Sequence, residues 1–171
     1  MAEFRPAFEK MIHNEGGYVN HTVVGDRGGQ TYAGIARKFH PDWQGWGLID
    51  RNDMDNPELT TFVLQFYKTH FWDRLKAEQI HNQRIAESLF DFAVNAGVRT
   101  AVKLAQLIVN STPDGIIGPK TLEKVNAADE ELFVAKYALA KVARYTEIVK
   151  RNRSQSKFLL GWLNRTLRGL S

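Results

Sequence analysis

One segment, residues 14–36, interrupts the helical spacing of apolar residues that runs through most of the chain. It reads NEGGYVNHTVVGDRGGQTYAGIA and contains six glycines among short β-prone runs. The residues before it predict an amphipathic helix that ends just before Gly16, since apolar side chains recur there at i, i+4, i+7 and i+8: Phe4, Phe8, Met11 and Ile12. The glycines permit tight turns, so we expect a β-hairpin with Asp26 near its tip.

This segment also concentrates groups suited to breaking a glycosidic bond. That reaction needs one protonated carboxyl group to donate to the leaving oxygen, and a second, ionised group to activate water or attack the sugar. Glu15, at the helix end, and Asp26, 11 residues later, form the candidate pair. Thr31 precedes a helical pattern over residues 32–39, where it could cap a helix or face the cleft and orient a water molecule. A solvated glutamate and an ordinary N-cap are the simpler interpretations.

Several motifs carry a resemblance to a known family. They are EGGY at 15–18, DRGGQT at 26–31, YAGIA at 32–36, FYKTHFWD at 66–73 and DFAVNAG at 91–97. Together they resemble glycoside hydrolase family 108, the N-acetylmuramidase-type endolysins. The resemblance implies that Glu15 is the catalytic acid. A looser similarity to the Glu, Asp/Cys, Thr triad of phage lysozymes suggests Asp26 and Thr31 as its partners. The implied fold is mainly α, a lysozyme-like helical fold with one short β-hairpin beside the active-site cleft.

The second half of the chain resembles the predicted peptidoglycan domain that commonly follows this catalytic segment. Its most distinctive phrase, DGIIGPKTLEKV at 114–125, is similar to the DGxxGxxT turn and helix of peptidoglycan-binding modules. Any tight turn into a helix requires similar residue types, so the phrase is also explained as a loop with Pro119 starting a helix. We therefore expect a muramidase segment over 1–85 and a helical peptidoglycan-binding segment over 86–171, packed as one compact unit.

Local signals place other helices and one long loop. Asn56 and Pro57 are typical of an N-cap followed by the first helical residue, with a helix to about Thr69. A later helix should stop at Gly97, a common residue after a helix C-terminus. Two further amphipathic helices should begin near residues 133 and 158. Residues 40–55 are expected to form a loop, whose two tryptophans stack on sugar rings or pack against the core.

Five positions are candidates for substrate contact. They are Tyr18, Gly29, Trp43, Asn95 and Tyr145. A glycine allows close approach of a ligand to the backbone, whereas aromatic and amide side chains suit sugars. For Asn95 a structural hydrogen bond, and for Tyr145 a core position, are the competing interpretations.

Composition limits the remaining possibilities. The chain has no cysteine, which excludes disulfides, thiolate metal sites and cysteine nucleophiles. Residues 141–171 hold eight Lys or Arg and one acid, a net charge of +7, so the total of +4 leaves −3 for the first 140 residues. We expect a basic C-terminal surface that favours an anionic wall or phospholipid, or an ordinary solvated helix face. The charged N-terminus and the absence of a long apolar run predict synthesis in the cytoplasm with no transmembrane segment. A holin or a dedicated secretion machine would then bring the protein to the wall.

The favoured function is cleavage of peptidoglycan glycan strands between N-acetylmuramic acid and N-acetylglucosamine, for cell lysis or wall remodelling, by a monomer with no cofactor or metal. A noncatalytic wall-binding or secretion-activating protein is the alternative. A nucleic-acid binder lacks an accompanying recognition motif. A zinc peptidase would use the residues His13, Glu15, His21 and Asp26, but no HExxH spacing appears. We expect inversion at the sugar carbon, because a threonine is available to hold a water.

Overall fold

The computed structural model describes residues 1–14, 17–22 and 29–170, and for residues 20–22 only the backbone. The described residues form eight α-helices and one small antiparallel sheet. The helices are α1 Phe4–Asn14, α2 Gly45–Asp50, α3 Pro57–Tyr67, α4 Gln83–Ala96, α5 Val98–Ile108, α6 Pro119–Asn126, α7 Glu130–Arg151 and α8 Ser156–Arg168. A π-helical turn, Lys68–Trp72, continues α3, and 3₁₀ turns cover Ala77–Gln79 and Arg153–Gln155. The prediction of a mainly α fold is confirmed.

The sheet contains three short strands in sequence order. They are β1 Asn20–Thr22, β2 Gln30–Tyr32 and β3 Ile35–Ala36. The pairing of β1 with β2 confirms the predicted hairpin, while β3 pairs with β2 through a two-residue turn. The helix predicted over residues 32–39 is therefore wrong. Ala33 and Gly34 both have positive φ, of 47° and 81°, which reverses the chain where a helix would have continued.

The chain divides into two compact units, each with its own core. The sheet unit contains residues 8–70, and the helical unit contains residues 1–7 and 71–171. The units are groups of residues that contact one another in the folded chain. They do not test the expected boundary between the muramidase and peptidoglycan-binding segments at residue 86, which stays a prediction.

In the sheet unit, α1 and α3 supply most of the core. Phe8 and Met11 of α1 are buried, as are Val63 and Tyr67 of α3. The α3 helix begins as predicted, because the Asn56 side chain accepts a hydrogen bond from the backbone N–H of Glu58. Such a cap contributes about 1 kcal/mol to stability.

In the helical unit, α4 packs against both α5 and α7. Its apolar face, including Ile85, Leu89 and Phe92, is fully buried. The helix ends at Ala96, and Gly97 with φ of 88° allows the chain to turn directly into α5. The predicted stop at Gly97 is thus confirmed. The N-terminal residues join this core through Phe4, whose ring meets the edges of Trp72 and Phe90.

Candidate functional site

The first predicted catalytic group, Glu15, follows the last residue of α1 in the sequence. The helix ends at Asn14, and Gly17 with φ of 83° donates its backbone N–H to the carbonyl of Ile12 at 2.9 Å. This closing turn requires a residue that tolerates positive φ, which explains the second glycine of the EGGY motif. Glu15 itself and Asp26 lie outside the described residues, so their catalytic roles stay predictions.

Thr31 lies in the central strand of the sheet, at a position that sequence reasoning assigned to a helix start. It is half-buried, and its register partners are His21 on β1 and Ala36 on β3. Successive side chains of a strand point to opposite faces, so Thr31 points away from the buried Tyr32. Thr31 is therefore not a helix N-cap, while a role in orienting water stays a prediction.

Tyr67 of α3 fixes the turn that follows Thr31, and the sequence analysis missed it. Its buried phenol donates to the carbonyl oxygen of Ala33 at 2.7 Å. Ala33 in turn donates its N–H to Val19 at 3.1 Å. The first of these bonds ties α3 to the strand that carries Thr31. The FYKTHFWD motif contains Tyr67, but only the folded chain shows what its hydroxyl contacts.

Two predicted substrate contacts, Tyr18 and Gly29, also belong to the sheet unit. Tyr18 is 42% exposed, and its ring centroid lies 6.5 Å from that of Phe8. Gly29 is exposed with φ of 67°, and no atom lies within 4 Å of the position where a Cβ would stand. An aromatic side chain and an open stretch of backbone are therefore both accessible in the sheet unit.

The segment predicted as a loop over residues 40–55 contains the short helix α2, so that prediction is wrong in part. Trp46 is buried and donates its indole N–H to the carbonyl of His40 at 2.7 Å. Trp43 is half-buried, and its indole N–H points to the carbonyl of Phe62 at 3.3 Å. The two tryptophans thus divide between the two predicted roles: Trp46 packs the core, whereas Trp43 keeps a partly exposed ring.

Trp43 is one of the residues that line a groove of about 410 Å³ within the sheet unit. This size falls in the range of small-molecule sites. One wall is the turn before α2, and the other is a face of α3 and the π-helical turn. The lining residues are Phe39, His40, Pro41, Asp42, Trp43, Gln44, Phe62, Gln65, Phe66, Thr69 and His70.

Two histidines stand in this groove against Phe66. The His70 ring stacks on Phe66 with centroids 4.3 Å apart, and the His40 ring meets Phe66 edge-on at 4.7 Å. Burial, and secondly the neighbouring His70 ring, lower the pKa of His40. The lowered pKa favours the neutral form of the His40 ring at pH 7. Neither histidine was predicted from the sequence as a site residue.

Comparison with known proteins decides the family. The family model described as Glycosyl hydrolase 108 matches residues 8–97, more than half of the chain. The chain belongs to glycosyl hydrolase family 108. A second model, Predicted Peptidoglycan domain, matches residues 98–167. The protein is thus a glycoside hydrolase that acts on peptidoglycan, and the predicted resemblance to both segments is confirmed.

A solved structure supports the same assignment. SagA of Brucella abortus is 26% identical, with a TM-score of 0.75, over 98% of this chain and 91% of SagA. This match confirms the predicted lysozyme-like fold. No curated protein matches the chain. Within the described residues, no helix is both long and apolar enough to cross a bilayer.

The other two predicted contacts of this family 108 chain lie in the helical unit. Asn95 is exposed near the end of α4. Tyr145 is only 4% exposed, and its ring stacks on Trp162 with centroids 5.1 Å apart. Its burial favours the core position over direct contact with a glycan, whereas the exposure of Asn95 leaves it accessible to one.

The basic C-terminal surface is smaller than the charge count implied. Lys141 is buried, and the Arg165 guanidinium forms a bidentate ion pair with Asp91 at 2.9 and 3.0 Å. Lys150 is exposed but pairs with Glu147 at 3.1 Å. Folding thus buries or pairs part of the positive charge, while Arg151, Arg153, Lys157 and Arg168 are exposed. Whether this basic surface favours an anionic wall or phospholipid, or is an ordinary solvated helix face, stays a prediction.

The DGIIGPKT segment of the peptidoglycan domain is organised by a buried glutamine that the sequence analysis missed. The Gln106 side chain donates to Asp114 Oδ1 at 2.8 Å and to the carbonyl of Ile116 at 3.0 Å. Its oxygen accepts the N–H of Gly115 at 2.9 Å. Pro119 is the first residue of α6, as predicted.

Proposed function

We propose that this family 108 hydrolase is an N-acetylmuramidase, which cleaves the bond between N-acetylmuramic acid and N-acetylglucosamine. The observation that carries the proposal is the family match over residues 8–97, which spans the EGGY motif. In this proposal Glu15, immediately after α1, protonates the leaving glycosidic oxygen as general acid. No cofactor takes part.

Asp26 and Thr31 are proposed to act on the water that attacks the sugar. An ionised Asp26 would take a proton from that water, while the Thr31 hydroxyl would accept or donate a hydrogen bond to hold it. The central position of Thr31 in the sheet, tied to α3 through Tyr67, supports this role, because a fixed strand positions a hydroxyl better than a free loop. Attack by a held water predicts inversion of the anomeric carbon.

The glycan strand is proposed to contact Tyr18, Gly29 and Trp43 in the sheet unit. All three leave part of their surface accessible. Asn95 is the remaining accessible candidate in the helical unit.

Digestion of purified sacculi tests the proposed bond and the proposed acid. We expect the native protein to release muropeptides with reducing muramic acid ends, identified by mass spectrometry. Glu15→Gln should lower the rate at least 10³-fold because the general acid is lost. Glu123→Gln, at an exposed position of α6, makes the same chemical change outside the proposed site and should keep full activity.

Three outcomes would contradict the proposal. Reducing glucosamine ends would place cleavage at the other glycosidic bond. Products with 1,6-anhydro ends would show that a sugar hydroxyl attacks in place of water. Binding of sacculi without cleavage by the folded native protein would support the alternative, a noncatalytic wall-binding or secretion-activating protein.

The role of Thr31 is tested by Thr31→Val, which keeps the shape of the side chain and its preference for strands but removes the hydroxyl. We expect kcat to fall about 10²-fold with little change in folding. NMR of the first-formed product should show the inverted anomer. A retained anomer, or full activity of Thr31→Val, would exclude the held-water mechanism.

Delivery to the wall is proposed to depend on a holin or a dedicated secretion machine, followed by action as a monomer. The test is fractionation of producing cells with and without a co-expressed holin, together with light scattering of the purified protein. Wall cleavage that is independent of any release factor would contradict the first part, and a stable dimer the second.

A further inference from the structure

The groove beside α3 has the features of a built ligand site, although none of the residues that line it is a predicted acid, base or water-binding group. It combines an aromatic floor with a polar rim. We propose that this groove binds an N-acetylated hexosamine of the glycan strand. The inference rests on the proposed function for its ligand, but it concerns binding and not cleavage.

The floor of the groove is held rigidly. The Trp43 ring lies so close to Gly45 that a Cβ there would stand 2.2 Å from the ring, so only glycine fits. The same ring meets Trp46 edge-on at 5.0 Å and Tyr32 in a stacked arrangement at 6.2 Å. A ring fixed in this way loses little entropy when a ligand packs on its exposed part.

The orientation of His70 is also fixed. Its Nδ1 lies 3.0 Å from the carbonyl oxygen of Phe66, which can only accept, so Nδ1 carries the proton. In the neutral ring Nε2 is then an acceptor. The ring stacks on Phe66 and is itself exposed, so its outer face adds to the aromatic surface.

The rim of the groove carries four polar side chains that are available to hydrogen-bond a ligand. Asp42, Gln44, Gln65 and Thr69 are all exposed. Within the described part of the chain, none of these four side chains makes a hydrogen bond to another residue. Two amides, a hydroxyl and a carboxylate together provide both donors and acceptors.

These features match an N-acetylhexosamine more closely than other ligands. A pyranose ring presents C–H groups to an aromatic surface, its acetamido group carries one N–H donor, one carbonyl acceptor and an apolar methyl group, and its hydroxyls need a mixed rim. The described residues contain no group of three His, Asp or Glu side chains able to hold a metal ion, so the two histidines are better explained as part of the floor.

The test is titration of the Glu15→Gln protein, which avoids cleavage, with N,N′,N″-triacetylchitotriose. Two-dimensional ¹H–¹⁵N NMR should show saturable shifts of the Trp43 indole N–H and of the Gln65 side-chain amide. Phe39→Ala and Gln65→Ala should each weaken the dissociation constant at least fivefold. Phe39 is 68% exposed, so its removal leaves folding intact. Leu139→Ala, a change at a 70% exposed position on α7, is the matched control and should leave binding unchanged.

Several results would overturn the inference. Cellotriose, which lacks acetamido groups, should bind at least tenfold more weakly, and equal binding would contradict an acetamido-specific site. NMR shifts that are confined to residues outside the groove would also contradict the inference. So would shifts that appear only with peptidoglycan fragments that carry a peptide. Because the measurement is binding, its failure in a protein that still cuts sacculi would reject the groove alone. Saturable binding by Glu15→Gln, together with failure of the native protein to cleave sacculi, would instead reject the muramidase proposal.

Discussion

The buried Lys141 leads to a stability prediction whose sign and size follow from its surroundings. The side chain is 6% exposed, and its Nζ lies 5.2 Å from the Phe92 ring and 4.8 Å from the Tyr137 ring. Burial lowers the pKa of Lys141 from 10.5 to about 8, with Asp91 raising it and Arg165 lowering it by smaller amounts. The folded protein therefore disfavours the charged form that the unfolded chain carries at neutral pH.

Replacing Lys141 with methionine should stabilise the protein at pH 7. A pKa difference of this size corresponds to about 3 kcal/mol at pH 7. The two cation–π contacts stabilise the charged Lys141 and offset about 0.5–2 kcal/mol of that destabilisation. Methionine is also unbranched and fills a similar space. We therefore expect Lys141→Met to raise the free energy of unfolding by about 1–3 kcal/mol, which is about 2–12 °C in Tm for a chain of this length.

The gain should shrink as pH rises. Between about pH 8 and 10.5 the unfolded chain binds a proton at Lys141 that the folded protein has released, so the stability of the native protein rises with pH across this window. The advantage of Lys141→Met should accordingly fall by about 2 kcal/mol from pH 7 to pH 10. Burial raises the pKa of Tyr137 and Tyr145, but these groups affect both proteins alike and cancel in the comparison.

Guanidinium denaturation followed by circular dichroism at pH 7 and pH 10 measures both effects. Lys136→Met, an exposed change on the same helix, is the control and should lie within about 0.5 kcal/mol of the native protein. A loss of stability in Lys141→Met at pH 7, or a gain that is the same at both pH values, would refute the reasoning.

Three further substitutions test contacts inside the units, two in the helical unit and one in the sheet unit. Asp91→Asn should cost about 2–4 kcal/mol, because it leaves the mostly buried Arg165 guanidinium without its counter-charge, and thermal unfolding measures the loss. Gln106→Leu should cost about 2–4 kcal/mol and raise amide hydrogen exchange in the turn before α6, since three of that turn's groups lose their partner. Tyr67→Phe should cost about 1–2 kcal/mol by leaving the Ala33 carbonyl unpaired, and unchanged stability by denaturant titration would contradict that role.

The sequence predicted those elements whose signals are local. The caps at Asn56 and Gly97 and the start at Pro119 each depend on one or two adjacent residues, and each was located correctly. The error over residues 32–39 has a clear cause: Tyr32, Ile35 and Phe39 have helical spacing, but the pairing of β3 with β2 depends on the turn between them. The Ala33-Gly34 pair, with glycine at the second turn position, was the available signal for that hairpin.

The candidate site shows a similar division. The EGGY motif predicts Glu15 as the acid because a family pattern is read along the chain, and that role stays a prediction. Lys141 and Gln106 were missed, because nothing in sequence marks which lysine or glutamine will be buried. Likewise, the stacking of His70 on Phe66 arises where α3 continues as a π-helical turn, a feature that helical periodicity does not predict.

The DGIIGPKT segment shows why a motif and a contact surface are different things. Asp114 accepts hydrogen bonds from Gln106 and from the N–H of Ile116, and the pKa of its carboxyl is lowered as a result. A Cβ on Gly115 would stand 2.5 Å from Arg99 Cγ, and its φ of 82° also favours glycine. The residues that make this segment recognisable are thus occupied in building the turn. Contacts with peptidoglycan should therefore be sought among side chains that have no such internal role, and the rim of the groove beside α3 provides four of them.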